Sequence, residues 1–342
     1  MNPFFSIIVP AFNVEKYIHR AVSSILTQSF RDFELIIVND GSTDNTANII
    51  NELSNQNKKI TIINHSKNES LHIARMNGVA TANGEYIVFL DGDDYFTENT
   101  FSELHQSIQE NPEYDVFEYG YIRQPAGEIV LPSPPVSNRF SDFFSKGNCP
   151  APTVWNKVYL TALIKKAFLA MERVYINNTE DTYESIVIAF YTKKIMMIKK
   201  VITNYQIGSG VSTSYKDFNK TIDFLQSVRK AADLVKLFLS KQGLNISLDA
   251  LEYRLLEYVL YYIHSQKNTE DFIKLLRLLP DYFNAKIITE YLVFLEESYK
   301  NLTISHKRII KMTNSKDYRL GKFLLKPLRM AKRLFRMQEK IN

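Results

Sequence analysis

The chain has 342 residues, 45% hydrophobic and 23% charged, the balance of an ordinary globular protein with room for one large domain or two. Its single cysteine, Cys149, excludes an intrachain disulfide and suits a reducing compartment. No apolar run reaches the roughly 18–20 residues of a membrane span. The N-terminus lacks the basic region and long apolar run of a signal peptide, so the expectation is a soluble, cytoplasmic protein.

Phe5 to Val9 is a short β-branched run closed by Pro10 and reads as a strand. Asn13 is placed to cap the helix that follows, whose apolar face is Tyr17, Ile18, Ala21, Val22, Ile25 and Leu26. Glu34 to Val38 is a second strand, ended by "NDGSTD", with Ser42 or Thr43 as the cap of a second helix through Leu53. Ile60 to Ile63, a helix from Leu71 to Ala82 and a strand from Glu85 to Leu90 follow, then a helix over Thr97–Gln109 and the strand "YDVFEYG". Gln124 to Asn138 carries four prolines and reads as a loop or edge excursion. Ile195 to Val201 is a further strand, Asn204 to Ser214 a Gly/Ser-rich loop, and the chain from Phe218 onward is helical and strand-poor.

Strands alternating with amphipathic helices imply an α/β fold with a mainly parallel sheet covered on both faces. Ligands of such sheets bind beyond the carboxyl ends of the strands. Three polar clusters stand there, Pro10–Asn13, Asn39–Asp44 and Asp91–Asp94, and should converge on one crevice.

The most informative stretch is "NGEYIVFLDGDDYF", Asn83 to Phe96. A strand that reads as buried ends in Asp91, Asp93 and Asp94, whose like charges repel. A hard divalent cation relieves that repulsion, and Mg2+ or Mn2+ characteristically joins one or two carboxylates to the phosphates of a substrate. The bland alternative is a solvated acidic turn. Likewise Asp40 also suits a turn in "NDGSTD", and Glu180–Asp181 also suits the acidic first turn of a helix. Trp155 reads equally well as plain core. The six histidines show no metal-ligand spacing and are given no role.

The blocks "SIIVPAFNVEKYIHRAVSSILTQSF", "FELIIVNDGSTDNT", "ARMNGVATANGEYIVFLDGDD" and "WNKVY…EDTYE", in this order, resemble bacterial family 2 glycosyltransferases with the GT-A fold over roughly residues 4–214. The resemblance implies an inverting sugar transfer from a UDP-hexose or UDP-N-acetylhexosamine to a glycan or lipid-linked acceptor in surface polysaccharide assembly, such as capsule or O-antigen, with Mn2+ or Mg2+ as cofactor. It also implies roles. Pro10 and Phe12 line the uracil pocket, Glu15 stands at the nucleotide's edge, and Asp40 meets the base or ribose. Arg75 faces the nucleotide or diphosphate, with Asp91 and Gly92 beside it. Asp91 and Asp93 form the D-x-D, Asp93 being the closer metal ligand, while Asp94 orients the site. Trp155, Asn156, Lys157 and Glu180 shape the sugar and acceptor side, and Asp181 is the catalytic base. Gly208–Ser214 is the segment that closes over the diphosphate. The chain departs from the pattern twice: Gln206 follows Tyr205 where an arginine is frequent, and Met76 follows the "AR" pair, with Asn77 one place later.

The implied organisation is a GT-A domain over 1–214, a helical region over 215–312 and a basic tail over 313–342. From Lys316 to Asn342 there are nine basic and two acidic residues, which leaves the rest of the chain slightly acidic within a total of +5. Leu320, Leu324, Leu328, Ala331 and Phe335 share one helical side, so the tail suits an anionic membrane surface, here the cytoplasmic face, and not a nucleic acid. The competing reading of the tail is a helix packed on the protein with a solvated basic face. A nucleotidyltransferase is the rival enzyme, and an inactive nucleotide-sugar-binding membrane scaffold is the rival outside catalysis. The glycine-free turn Pro10–Asn13 counts against the first, because phosphate cradles after a first strand usually need glycine.

Overall fold

The computed structural model describes residues 2–132, 139–145, 151–208, 218–264, 269–291 and 293. In chain order the elements are β1 (Phe5–Ala11), α1 (Ile18–Leu26), β2 (Phe33–Asn39), α2 (Thr46–Gln56), β3 (Ile60–Asn64), α3 (Leu71–Thr81), β4 (Tyr86–Phe89), β5 (Tyr95–Phe96), α4 (Thr100–Glu110), β6 (Val116–Gln124), β7 (Glu128–Val130), α5 (Arg139–Asp142), β8 (Lys157–Leu160), α6 (Thr161–Leu169), α7 (Glu180–Tyr191), β9 (Ile195–Gln206), α8 (Phe218–Lys241), α9 (Asp249–His264) and α10 (Thr269–Tyr282). The basic tail over 313–342 and most of the Gly208–Ser214 segment lie outside the described residues. Among the described residues no helix is long and apolar enough to cross a membrane.

The chain divides into two compact units. The first holds residues 1–213 and 230–246, and the second holds 214–229 and 247–342. In the first unit nine strands form one sheet in the order β3-β2-β1-β4-β8-β6-β9-β5, with β7 on β6. β1, β2, β3, β4, β6 and β9 run one way, and β5, β7 and β8 run the other. The sheet is therefore mainly parallel, as the alternation of strands and helices predicts.

Every residue of β1 is buried, because both of its faces are covered. Ile7 and Val9 join α1's Ile18, Ala21, Val22 and Ile25 and α4's Phe101 and Leu104 in one apolar core. On the opposite face α3 packs so closely that a Cβ on Gly78 would strike Ile8. Burial of these aliphatic side chains stabilises the fold by roughly 1.5–3 kcal/mol each before entropy is subtracted. In the second unit, residues 218–229 of α8 pack with α9 and α10: Phe224 meets Tyr258 at 5.7 Å, and Arg229 lies 3.9 Å from Glu252. Residues 230–241 belong to the first unit, where Phe238 packs edge-on against Phe190 at 5.3 Å.

Several local expectations are corrected. β1 does not stop at Pro10 but pairs with β2 through Ala11↔Asn39. Ile8 accepts from Leu90 on the β4 side, so Pro10, two residues on, also faces that side, where β4's pairing has ended. Its missing N–H therefore costs no ladder bond. Asn13 is not a helix cap: it sits at φ 53° and its side chain accepts from the Thr43 amide at 2.8 Å. Neither Ser42 nor Thr43 caps α2, which starts at Thr46, with the Thr46 amide donating to the Asp44 carboxylate at 3.0 Å. β9 continues through Tyr205 and Gln206, because pairing with β6 extends to Gln124↔Gln206.

Gly41 tests this account of the strand ends. It has φ +69°, and an added Cβ would come within 2.6 Å of the Asn68 amide nitrogen and closer still to Lys67. Backbone strain and the clash together predict that Gly41→Ala lowers stability by about 2–4 kcal/mol, read by urea denaturation. A change below about 0.5 kcal/mol would contradict the close approach of these two loops.

Candidate active site

The carboxyl ends of β1, β2 and β4 form one rim, and the three polar clusters meet there. The Asp40 amide donates to Ala11 O at 2.9 Å, and the Glu15 amide donates to Asp44 at 3.1 Å. Gly92 lies where a Cβ would stand 3.1 Å from Pro10 O and from Val14, so the turn after β4 passes tightly over the end of β1. Antiparallel β8 brings Asn156 and Lys157 to the same rim, and antiparallel β5 brings Tyr95. Phe12 is 39% exposed at the tip of β1, an open aromatic face beside these loops.

Arg75, on α3, is completely buried and gathers the acidic groups. Its Nη1 donates to Asp181 and, at 2.8 Å, to Glu184, and its Nη2 lies 3.4 Å from Asp91. Residues 16 and 106 positions away in the chain thus share one guanidinium. Burial alone would lower the arginine's pKa, but Asp181, Glu184 and Asp91 hold it well above its ordinary value. His72, three residues earlier on α3, places Nδ1 2.7 Å from the other Glu184 oxygen and Nε2 3.0 Å from Glu172 O. Burial works against the charge of Glu184, but Arg75 and His72 more than offset it and keep its pKa low.

The remaining carboxylates lack such compensation. Asp91, 24% exposed, is pushed up to about 6 by burial and by Asp93 and Asp181, against Arg75. Asp181, 27% exposed, is raised by burial and Glu184, with Arg75 opposing. Glu180 is pushed up to about 8 by burial and by Asp181, and its Oε2 has no partner among the described residues. Asp94 accepts from the Gln206 amide at 2.7 Å through one oxygen, while its other oxygen has no partner among the described residues. Burial and the neighbouring Asp93 and Asp91 raise Asp94 well above the carboxylate range. This surplus of crowded carboxylates suits a divalent cation. Among the described residues no three His, Cys, Asp or Glu side chains are already grouped to hold one. An ion on Asp91 and Asp93 therefore needs further oxygen ligands from what binds beside it.

The other expected residues have clear positions. Glu15 accepts from the Asn45 amide at 2.9 Å, bracing the turn before α2. Asp40 receives four hydrogen bonds, from His65 Nδ1 (2.6 Å), Asn68 Nδ2 (3.0 Å) and the amides of Glu69 (2.8 Å) and Ser70 (3.0 Å). It thereby fixes the loop between β3 and α3, including Ser70 at φ 95°. Asn77 donates to His65 Nε2 at 2.7 Å and accepts from Arg173 at 2.8 Å. Trp155 is nearly buried, stacked on Tyr205 at 4.9 Å with 4° between the rings. Asn156 Oδ1 accepts from Thr153 and from Lys157 at 2.8 Å each, and Lys157 lies 3.7 Å from Glu118. Sequence reasoning missed His65, His72 and Glu184. The spacing was readable: His72–Arg75 and Asp181–Glu184 are i,i+3 pairs, which lie on one helical face.

Residues 6–169 match the family model described as glycosyl transferase family 2. This segment, just under half of the chain, is similar to glycosyl transferase family 2. The glycosyltransferase EpsJ of Bacillus subtilis, described as uncharacterized, is 38% identical over 124 residues, which is 36% of this chain and 36% of EpsJ. Chondroitin synthase of Pasteurella multocida is 44% identical over 93 residues, 27% of this chain and 10% of that protein. The matched segment thus spans about a third or less of these relatives. Among solved structures, S. aureus TarS 1–349 in complex with UDP aligns at TM-score 0.52 and 23% identity, covering 88% of this chain and 92% of that one. The mannosyltransferase PcManGT from Pyrobaculum calidifontis, in complex with GDP-Man and Mn2+, aligns at TM-score 0.52 and 13% identity over 97% of this chain and 86% of that one. These likenesses agree with the fold read from the strand order.

Two outcomes are expected of this cluster. Arg75→Ala strips the shared cation from Glu184, Asp181 and Asp91 and should cost about 3–5 kcal/mol of unfolding free energy. Arg75→Lys should recover little of it, since one ammonium cannot serve three carboxylates. Equal stability of native protein and Arg75→Ala would remove the network's structural importance. Glu180 supplies the pH dependence. Its folded pKa, about 8, lies above its ordinary 4.5, so the folded state holds this proton more tightly than the unfolded chain. Its favourable contribution is complete below about pH 4.5 and lost as pH rises through about 8. Glu180→Gln should therefore exceed the native protein's stability by roughly 3–5 kcal/mol at pH 9, a margin that shrinks toward pH 5. A margin independent of pH would contradict the raised pKa.

Proposed function

We propose that the protein is an inverting glycosyltransferase that moves a sugar from a UDP-sugar, a hexose or N-acetylhexosamine, to a hydroxyl of a glycan or lipid-linked acceptor. The observation that carries this reading is the sharing of Arg75 by Asp91, of the D-x-D turn, and Asp181, at the head of α7. A diphosphate site and a carboxylate base would thereby share one guanidinium through its two terminal nitrogens. The family match, and the complexes of TarS with UDP and with UDP-GlcNAc, support the donor class.

In this reading Pro10 and Phe12 line the uracil pocket, and Asp40 acts on the nucleoside through the β3–α3 loop that it fixes. Glu15 supports the nucleotide's edge through the turn before α2. Asp91 and Asp93 would hold Mn2+ or Mg2+, an assignment supported by the uncompensated carboxylates and by the complex of PcManGT with GDP-Man and Mn2+. A bound ion supplies charge stabilisation to the departing diphosphate. Gly92 lets the turn approach β1. Trp155, Asn156, Lys157 and Glu180 shape the wall on the sugar and acceptor side.

Asp181 accepts the acceptor hydroxyl's proton as that oxygen bonds to the anomeric carbon. The bond from that carbon to the diphosphate oxygen breaks, and UDP leaves with the electron pair. One displacement inverts the centre and needs no sugar–protein bond. Arg75 favours the ionised form of Asp181 against the effect of burial and orients the carboxylate. Relatives such as chondroitin synthase support a role in polysaccharide assembly. The acceptor class and the basic tail over 313–342 suit action at the cytoplasmic face of a membrane. The proposed organisation is a catalytic domain over 1–214, a helical region over 215–312 and this tail.

Calorimetric titration of UDP with Mn2+, with Mg2+ and with chelator tests the donor site. Binding should require the metal and be lost in Asp93→Ala, and equal binding in chelator would sink the metal assignment. Asp181→Asn should retain UDP affinity within a few-fold while kcat falls about a hundred- to ten-thousand-fold. Unchanged turnover in that variant would remove Asp181 as the base.

A further inference from the structure

Arg20 is a cation that none of the expected site motifs uses. It projects from α1, is exposed, and has its guanidinium carbon over the Tyr95 ring, 4.2 Å from the ring centre. Its Nη2 donates to the main-chain carbonyl of Asp93 at 3.1 Å and to Gln206 Oε1 at 3.2 Å. The guanidinium therefore sits within one residue's reach of the proposed metal ligand Asp93, at the rim where β9 ends. Its electrostatic pull also opposes the rise of Asp94. Both observed bonds use Nη2 alone. Nη1 and Nε, with three further N–H groups, have no protein partner among the described residues.

We propose that Arg20 binds the diphosphate of the donor, using Nη1 and Nε. The inference rests on the donor reading above and adds a named phosphate contact to it. Three features support it. Tyr95 holds the planar group so that its free edge is offered with little rotamer freedom left to lose. Guanidinium forks match phosphate oxygens in paired hydrogen bonds, whereas an exposed arginine kept only as a brace would more economically use both Nη groups on the protein. The position also complements the acidic turn: Asp91 and Asp93 approach the diphosphate through a cation, while Arg20 approaches it directly. Arg75, the other arginine of the site, is occupied with carboxylates. Because Gln206 already touches Arg20, an arginine grafted at 206 reaches the same place in a chain that lacks Arg20.

The test is calorimetric titration, in Mn2+, of UDP, uridine monophosphate and inorganic pyrophosphate into native protein, Arg20→Ala, Arg20→Lys and the double variant Arg20→Ala/Gln206→Arg. Arg20→Ala should weaken UDP and pyrophosphate about tenfold or more, and uridine monophosphate less. Arg20→Lys should recover part of the loss and the double variant most of it. Loss of affinity for all three ligands in equal measure, with no rescue by the graft, would overturn the proposal in favour of a brace for the turn. So would UDP binding to Arg20→Ala within twofold of native. Native protein that binds pyrophosphate but not UDP would defeat the uridine donor, while the Arg20 comparison with pyrophosphate would still decide the phosphate contact. Native protein that binds neither would defeat both.

Discussion

A guanidinium without contact with water must be matched by carboxylates, and the interior behind the rim is arranged around that demand. Arg75 is fully buried, and Asp181 and the equally buried Glu184 are its leading counter-charges. His72 occupies the second oxygen of Glu184, so α3 and α7 are joined by a chain of charged hydrogen bonds instead of apolar contact alone. The desolvation cost of so many charges is large, and such networks are retained for geometry more readily than for stability. Here the geometry gained is the position of Asp181 and Asp91 at the two terminal nitrogens of one cation. What the protein leaves unbalanced is as informative. Asp91, Asp94, Asp181 and Glu180 are all raised, first by burial and then by neighbouring carboxylates, so their charges are incompletely compensated where they lie.

The sheet makes this arrangement possible. Its parallel half ends β1, β2 and β4 on one side, so the loops with Phe12, Asp40 and Asp91 are neighbours without any long excursion. Its antiparallel strands serve the same rim from the opposite direction: β8 begins there with Lys157, and β5 begins there with Tyr95. The stacked pair Trp155–Tyr205 then joins the start of β8 to the end of β9. Glycines permit two close approaches at the rim, Gly41 against the β3–α3 loop and Gly92 against the end of β1. Asp40 illustrates the division of labour. Its four hydrogen bonds hold the neighbouring loop, so its carboxylate sets the shape of that part of the rim.

Much of the fold was legible from local pattern. The strands of the first ninety residues are continuous apolar runs, because both faces of a parallel sheet are covered, and that pattern needs no knowledge of neighbours. The strand-end clusters were legible for the same reason, since turn chemistry and strand punctuation are properties of a few adjacent residues. Legibility failed where a partner lies far along the chain. Asn13 has the composition of a helix cap, but Thr43, thirty residues on, claims its side chain. Tyr205 and Gln206 were assigned to a loop by the glycines that follow them, yet β6 extends the strand to include them.

The sequence by itself determined the α/β class, the strand ends where polar residues gather, and the acidic turn Asp91–Asp94 in a family 2 pattern. These are short-range properties, set by side-chain periodicity and by spacings of a few residues. Only the tertiary structure decided which charges face one another. That Arg75 is shared among Asp91, Asp181 and Glu184, that His72 supports Glu184, and that Arg20 reaches Gln206 are facts of helix register against the sheet. Charge interactions depend on distance in space and on burial, and neither is encoded at any single position of the chain.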